Sequence, residues 1–341
     1  MVKLFTLFAC LLAGNTLLCA APKTLEVFFI DVEGGQATLF VTPARQSLLI
    51  DTGWGYNAYR DANRIIAAAK LAKIKKIDYV LITHYHADHV GGVPQLIAKM
   101  PVGTLIEHGP NREESNAANH LVDEYKTATA SVPHITVAPG EHLPIKGMDA
   151  VVVSADGKVL ASPLPGAGQP NQACNGVERK ADDPSENARS LGSVITFGQF
   201  KLVDLGDLTW NKELELMCPD NKIGRADLFV VSHHGLNQSN SPALVHGLQP
   251  RVAVMNNGAK KGGSPSAWDI VKSSPGLQDF WQLHFADEGG QEHNTTDPFI
   301  ANVDEADTGY YLKLTAHEDG SFEIFNPRNK FSRSYPAAPA H

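Results

Sequence analysis

The stretch that decides the fold is Leu81–Gly92, which reads LITHYHADHVGG. Three histidines and one aspartate lie within the six positions from His84 to His89. The apolar run Ile77–Ile82 before them is typical of a strand buried on both faces, and the apolar spacing at about Val93–Lys99 indicates a helix. Imidazole and carboxylate groups are suitable ligands for Zn, Mn or Fe. The stretch therefore predicts a metal site at the end of a buried strand.

A strand that ends in a tight turn can aim successive pairs of side chains at different points. His84 and His86 can then bind one ion, and Asp88 and His89 a second. The glycine pair at 91–92 would let the chain turn tightly into the following helix. The alternative, a cluster of surface histidines with no function, explains neither the strand nor the turn.

This H-x-H-x-D-H pattern resembles that of the metallo-β-lactamase superfamily. Three further pieces occur in the family's order. Asp51-Thr52-Gly53 looks like its early Asp-x-Gly turn, Gly206-Asp207 matches the position whose carboxylate bridges two ions, and His233-His234 matches the late histidine ligand. The resemblance covers roughly residues 25–285 and implies an α/β protein with an αββα sandwich.

The resemblance also implies a ligand set and a reaction. The implied metal ligands are His84, His86, Asp88, His89, Asp207 and His233. The implied cofactor is one or two divalent ions, Zn first and Mn or Fe as alternatives. A water activated by the metal would be the nucleophile, with Asp88 and Asp207 as the catalytic residues.

Several roles stay open in the sequence. Adjacent residues in an extended chain point to opposite faces, so we expect one of His233 and His234 to bind metal, although spacing alone does not choose between them. We favour His233, with His234 behind it or facing the substrate. We expect Asp51 to orient a metal-binding histidine from behind. Family members often carry another histidine before the strands that lead to Gly-Asp, but residues 186–190 read ENARS. We expect Asn187 or Ser190 near the metal instead.

Other polar residues are weaker candidates. His108 follows a predicted strand and could assist the metal site, although a lone histidine is more often a hydrogen-bonded or exposed side chain. Lys260 and Lys261 lie beside three glycines and could hold a phosphate, although a solvated turn is the commoner explanation. Asn257 and His284 are further candidates for substrate binding.

A narrower resemblance concerns the substrate. Residues 29–37 (FIDVEGGQA) and the segment 256–258 (NNG) look like parts of the hydrolase domain of ComEC-type competence proteins. This likeness implies a phosphodiester or phosphate-ester substrate. The alternatives are a β-lactamase or lactonase type of hydrolase, and a metal-binding member without activity. A Gly-x-Ser-x-Gly motif is absent from the sequence, so a serine nucleophile of that kind is not indicated.

The composition restricts the class of partner. The chain is 43% hydrophobic and 19% charged, which is enough for a large core. Its net charge of -8 disfavours a generally basic binder of nucleic acid. A small-molecule or nucleotide-like substrate therefore fits better than a long nucleic acid.

Residues 1–20 have the three-part pattern of an export signal: one lysine, an apolar run and a small-residue end. We expect a periplasmic or secreted protein, and a lipoprotein less so. The remaining chain, residues 21–331, is expected to form one domain with a loop or insertion at about 160–189, followed by a disordered tail at 332–341. Cys174 and Cys218 are either a disulfide or two buried thiols.

Overall fold

The computed structural model describes residues 23–304 and 306–338. The predicted export signal and the last three residues of the predicted tail lie outside these ranges. The first half of the chain contains the strands β1 (Thr24–Phe29), β2 (Thr38–Val41), β3 (Ser47–Ile50), β4 (Ile77–Leu81), β5 (Val102–Glu107) and β6 (His134–Thr136). Its helices are α1 (Arg60–Leu71), α2 (Ala87–Val90), α3 (Val93–Ile97) and α4 (Asn116–Thr129).

The second half is richer in strands. They are β7 (Asp149–Ala155), β8 (Lys158–Val159), β9 (Gln169–Pro170), β10 (Gly192–Phe197), β11 (Phe200–Asp204), β12 (Asp220–Asn221), β13 (Leu228–Val230), β14 (Val252–Met255), β15 (Asp279–His284), β16 (Ile300–Asn302), β17 (Leu312–His317), β18 (Phe322–Asn326) and β19 (Phe331–Tyr335). Its helices are α5 (Trp210–Met217), α6 (Pro242–Leu248) and α7 (Pro265–Lys272).

Two large sheets face each other. Within the described residues, one sheet has nine strands in the order β19-β18-β17-β1-β2-β3-β4-β5-β6, and the other has eight in the order β16-β15-β14-β13-β11-β10-β7-β8. The inner core lies between the sheets and includes Phe29, Ile50, Val230 and Trp281. Outer cores lie under α1 and α3 on the first sheet and under α5, α6 and α7 on the second. The predicted αββα sandwich is therefore confirmed.

Alternation along the strands explains this layering. In β3, Leu48 and Ile50 point into the inner core, whereas Leu49 points under the helices. Successive side chains of a strand point to opposite faces, so a strand covered on both sides needs apolar residues throughout. This is why the continuous apolar runs of the sequence correspond to strands in the middle of each sheet.

The parallel parts of the two sheets place the candidate residues together. β3, β4 and β5 are parallel neighbours in the first sheet, and β11, β13, β14 and β15 are parallel neighbours in the second. Carboxyl ends of parallel strands lie at the same edge of a sheet, where open α/β sheets commonly hold ligands. The segments that follow β4, β11 and β13 carry the predicted metal ligands, and the segment after β3 carries Asp51.

The chain after β18 differs from the prediction of a disordered tail. Residues 332–335 belong to β19, which pairs with β18 in antiparallel register. Tyr335 is buried, stacks on Phe322 with ring centroids 4.6 Å apart, and accepts a hydrogen bond from Trp281 Nε1 at 2.9 Å. These contacts order a segment whose composition alone suggested a loose end.

The segment 160–189 is largely irregular, as predicted, with β9 and two short 3-10 turns. The structure joins Cys174 to Cys218 in a disulfide, the pairing that the sequence left open. The bond ties the segment to the end of α5. Among residues 23–304 and 306–338, no helix combines the length and the apolarity that a membrane crossing requires.

Candidate metal centre

Asp51 and Thr83 hold two histidines of the motif in place. His89 Nδ1 donates to Asp51 Oδ2 at 2.7 Å. The Thr83 hydroxyl donates to the same oxygen at 2.7 Å and accepts from His84 Nδ1 at 3.0 Å. These hydrogen bonds assign the ring protons to Nδ1, so the Nε2 lone pairs of both histidines are free for a metal. Asp51, in the early Asp-x-Gly turn, therefore holds His89 directly and His84 through Thr83.

Two glycines let the surrounding backbone pack closely against the motif. A Cβ at Gly92 would lie 2.1 Å from the Thr52 carbonyl oxygen, and one at Gly35 would lie 2.4 Å from the Asp88 carbonyl oxygen. Thr52 N donates to His89 O at 2.8 Å in the same contact. Any larger residue would push the loop after β3 away from α2. The glycine at 92 is therefore required by a close approach of two backbones.

His86 is oriented by a residue that follows β5. Its Nε2 donates to Glu113 Oε1 at 2.9 Å, which leaves the Nδ1 lone pair free. That Nδ1 lies 3.0 Å from His84 Nε2. We refer to His84 and His86 as the histidine pair. Two lone pairs at this distance repel each other unless a cation or a proton lies between them.

A second group of donors meets beside the pair. Asp88, His89, Asp207 and His234 each offer one ligand atom, all within 4.8 Å of one another, and all four residues are buried. We call these four residues the metal cluster. His89 Nε2 lies 3.2 Å from the carboxylate oxygen Oδ2 of both Asp88 and Asp207, and 3.3 Å from His234 Nε2.

These spacings fit a tetrahedral divalent ion. A metal–ligand distance of about 2.0 Å requires ligand atoms about 3.3 Å apart. His234 Nε2 lies 3.1 Å from Asp88 Oδ2 and 3.5 Å from Asp207 Oδ2, close to that value. Asp207 Oδ1 is buried without a hydrogen-bond partner in the part of the chain that the structure describes. The donor types, the spacing and this unsatisfied oxygen all fit a bound metal.

The backbone at residues 233–234 explains how both histidines reach Asp207. His233 has φ 53° and His234 has φ 54°, a left-handed conformation that costs a non-glycine residue roughly 1–3 kcal/mol. The chain is therefore not extended here, and the two rings do not point to opposite faces. His233 Nε2 lies 3.4 Å and His234 Nε2 3.5 Å from Asp207 Oδ2.

The structure places His234, rather than His233, in the metal cluster. This differs from our sequence-based preference, which assumed an extended backbone. His233 lies on the other side of Asp207, where its Nε2 is 3.5 Å from Asn187 Nδ2. Asn187, which we expected near the metal, thus lies beside His233. Its Oδ1 is buried and, among the described residues, has no hydrogen-bond partner.

The charges of the cluster depend on one another. Burial by itself would lower the pKa of His89, but the negative charges of Asp207, Asp88 and Asp51 outweigh burial and raise that pKa well above its usual value. Burial alone would raise the pKa of Asp207, but the positive charges of His89, His233 and His234 hold it well below its usual range. The two carboxylates of the cluster are thus ionised and require positive charge, from protons or from a divalent ion.

The remaining candidates have other positions. Ser190 Oγ accepts from Asp207 N at 3.2 Å and so supports the backbone of a cluster residue. His108 bonds Glu186 Oε2 at 3.0 Å, and His284 bonds Asp31 Oδ1 at 2.7 Å, so neither belongs to the metal cluster. Asn257 donates to the carbonyl oxygens of Gly258 and His284, as a structural residue does. Lys260 is exposed on its loop.

Sequence reasoning missed two acidic residues and underrated one lysine. Glu113 accepts from His86 Nε2 and from the backbone N–H of Glu186 through one oxygen. Glu186 in turn accepts from the backbone of Arg112 at 2.7 Å. Lys261 contacts Asp88 Oδ2 directly. Neither acid lies in a recognisable motif, so only the fold could have revealed their roles.

Comparison with known proteins agrees with this geometry. Residues 30–169, which include Asp51 and the whole motif, match the family model of the Metallo-beta-lactamase superfamily. The Lactamase-like protein aptB of Emericella nidulans is 30% identical over 135 residues, covering 39% of this chain and 38% of that protein. An Atrochrysone carboxyl ACP thioesterase of the same organism is 28% identical over 116 residues, covering 33% and 37%.

The matched segments therefore span less than two fifths of these relatives' length. Among solved structures, the metallo-beta-lactamase fold protein YhfI of Bacillus subtilis has 14% identity and a TM-score of 0.47, covering 76% of this chain and 96% of that one. The family model covers the strand, the turn and the histidines that build the centre. The part of the chain that carries the motif, residues 30–169, therefore belongs to the metallo-β-lactamase superfamily.

Proposed function

We propose that this chain is a metal-dependent hydrolase in which water is the nucleophile. The observation that carries the proposal is the metal cluster itself, whose four ligand atoms lie within 4.8 Å of one another. A divalent ion bound there supplies a water of pKa about 7 and polarises the oxygen of the bond to be cleaved. His86, whose side chain is 28% exposed, marks the side from which a substrate enters.

The protein's own residues position this chemistry. Asp51 holds His89 directly and His84 through Thr83. The Nε2 lone pairs of both histidines are therefore kept pointing toward the metal site. Asp207 Oδ2, a ligand atom of the metal cluster 3.2 Å from His89 Nε2, also lies 3.9 Å from His84 Nε2 of the histidine pair. Asp207 would therefore be able to help hold an ion at the cluster and one at the histidine pair. Asp88, whose side chain is 9% exposed against 3% for Asp207 and 0% for His234, would orient the attacking water.

The substrate class that we put first is a phosphodiester or phosphate ester. Two observations support it: the likeness of residues 29–37 to ComEC-type hydrolases, and a donor set of nitrogen and oxygen only, which suits Mn and Fe as well as Zn. The net charge of -8 favours a small, nucleotide-like substrate over a long nucleic acid. A thioester is the second candidate, since one relative is named as a thioesterase.

The test is hydrolysis of bis(p-nitrophenyl) phosphate and of a thioester by the protein loaded with Zn or Mn. The variant Asp207→Asn removes one carboxylate of the cluster and is expected to abolish metal-dependent turnover. Asp227→Asn is the matched control, because Asp227 is also buried but pairs with Arg251. Turnover of the thioester alone would favour the second candidate. Turnover of neither substrate, or turnover retained by Asp207→Asn, would contradict the proposal.

We also propose that the protein is exported. The disulfide between Cys174 and Cys218 supports this, because such bonds persist mainly in oxidising compartments. Residues 1–20 supply the expected signal. The mass of the protein recovered from a periplasmic extract or culture medium tests it: cleavage near residue 20 is expected, and an uncut cytosolic chain would contradict it.

A further inference from the structure

Lys261 lies at the edge of the metal cluster. Its ammonium pairs with Asp88 Oδ2, and its side chain is 31% exposed. The Trp54 ring lies beside it, with its centroid 4.9 Å from Nζ. Lys261 follows β14, a strand that carries none of the cluster's ligands. It is therefore a cation brought to the centre by a separate part of the fold.

The loop that carries Lys261 is fixed between two parts of the site. Gly258 N donates to Lys261 O at 2.8 Å, and Gly263 N donates to His234 O at 2.9 Å. A Cβ at Gly34 would lie 2.8 Å from Lys261 Cβ, and one at Gly262 would lie 2.1 Å from His234 O. The glycines permit close contact on both sides, so the position of Lys261 is set by the backbone.

The partner of Lys261 is an atom that a metal ion also requires. Asp88 Oδ2 lies 3.2 Å from His89 Nε2 and 3.1 Å from His234 Nε2, within the cluster. A metal ion bound there and the Lys261 ammonium would both be attracted to the same carboxylate of Asp88. Within residues 23–304 and 306–338, Asp88 is the only carboxylate that pairs with Lys261. An ammonium beside a divalent ion is stabilised only if another anion comes close.

We propose that Lys261 binds an anionic group of the substrate, a phosphate or a carboxylate, at the open side of the metal centre. This inference rests on the proposed hydrolase function and specifies the substrate. The ring of Trp54 beside the lysine packs against that of Tyr56, with centroids 5.1 Å apart and planes tilted by 47°, and Tyr56 is 52% exposed. These two rings provide an apolar surface for the part of the substrate that bears the anionic group.

The first test compares Lys261→Met with Lys260→Met. Methionine keeps the length of the side chain and removes the charge, and Lys260 is the exposed neighbour. For bis(p-nitrophenyl) phosphate, we expect Lys261→Met to raise KM by about 10- to 100-fold, as loss of a charged hydrogen bond does. For the neutral ester p-nitrophenyl acetate, KM should not change. An equal rise with both substrates, or an equal effect of Lys260→Met, would overturn the proposal.

A second test does not depend on turnover. Inorganic phosphate and acetate are titrated by calorimetry into the Zn-loaded protein and both variants. We expect Lys261→Met to lose binding of at least one anion, and the anion that the wild type prefers identifies phosphate or carboxylate. Loss of binding without turnover by the wild type would contradict the hydrolase function but support the role of Lys261. Equal anion binding by wild type and Lys261→Met would overturn it.

Zinc affinity distinguishes anion binding from a structural role. Lys261→Met should bind Zn at least as tightly as the wild type, because a competing cation is removed from Asp88 Oδ2. Weaker Zn binding by this variant would show that Lys261 maintains the shape of the cluster, and would overturn the proposal.

Discussion

Asp51 Oδ2 lies 2.7 Å from His89 Nδ1, and both side chains are fully buried. The carboxylate therefore fixes which nitrogen of His89 carries the proton and which faces the metal cluster. The same oxygen accepts from the Thr83 hydroxyl, which accepts from His84 Nδ1. One residue at the end of β3 thus orients a donor of the histidine pair and a donor of the cluster.

Replacing Asp51 by asparagine should weaken metal binding. The two carboxylate oxygens of Asp51 accept three hydrogen bonds, from Thr83 N, Thr83 Oγ1 and His89 Nδ1. An amide has only one acceptor oxygen and cannot accept all three, so the His89 ring is held less firmly in its protonation state. We expect Zn affinity to fall by about 10- to 100-fold, the usual effect of removing a carboxylate behind a ligating histidine. Competition with a chromogenic chelator measures it.

Asp227→Asn is the control for this prediction, because Asp227 is buried at the start of β13 and pairs with Arg251. It should leave Zn affinity unchanged. An Asp51→Asn variant that binds Zn as tightly as the wild type would show that Asp51 does not position His89.

Metal binding should release protons. Burial opposes charge on His89 and His234, but the carboxylates of Asp207 and Asp88 raise the pKa of both histidines above its usual value. Without metal, both rings therefore hold an extra proton more strongly than a free histidine does, and an ion must displace it, so affinity falls as pH falls. We expect roughly one to two protons released per ion. Calorimetric titration in buffers of different ionisation enthalpy measures the number, and an enthalpy independent of buffer would contradict it.

Breaking the disulfide should destabilise the protein. Cys174 and Cys218 are 44 residues apart, and closing a loop of that length stabilises a fold by about 4 kcal/mol in the chain-entropy model. We expect the Cys174→Ser, Cys218→Ser double variant to unfold at lower denaturant. A reductant should destabilise the wild type and have no effect on the double variant. Equal stability of the two oxidised proteins would contradict the prediction.

The pair of His284 and Asp31 should make stability depend on pH. Burial opposes the charge on His284, but its hydrogen bond to Asp31 and the charges of Asp31 and Glu33 raise its pKa above the ordinary 6.5. Burial likewise opposes the charge of Asp31, but His284 and Arg64 lower its pKa below the ordinary 3.8.

A raised histidine pKa contributes stability that is full below pH 6.5 and disappears as pH rises through the folded value. A lowered aspartate pKa contributes stability that is full above pH 3.8 and disappears as pH falls through the folded value. His284→Gln should therefore reduce Tm most between these two values, and less at pH 9. A reduction that does not vary with pH would contradict the prediction.

Much of the fold followed from local pattern. The continuous apolar run at 77–82 predicted the central strand β4, and helical spacing predicted α3, which ends at Ile97 rather than at about Lys99. Residues 332–335 were misassigned because what orders them is distant: Tyr335 contacts Phe322 and Trp281. A composition rich in proline and alanine carries no sign of such contacts.

The sequence by itself determined the chemistry of the centre: the histidines and aspartates of the motif, the orienting Asp51 and the carboxylate of Asp207. Each of these residues lies within a few positions of the end of a strand. Covalent geometry keeps such short spacings whatever the tertiary packing. Tertiary structure decided which of His233 and His234 enters the cluster, because the left-handed backbone there depends on its neighbours. It also brought Lys261 to Asp88 across 173 residues and His234 to Asp88 across 146. Such pairings arise only when the two sheets pack together, so no local pattern records them.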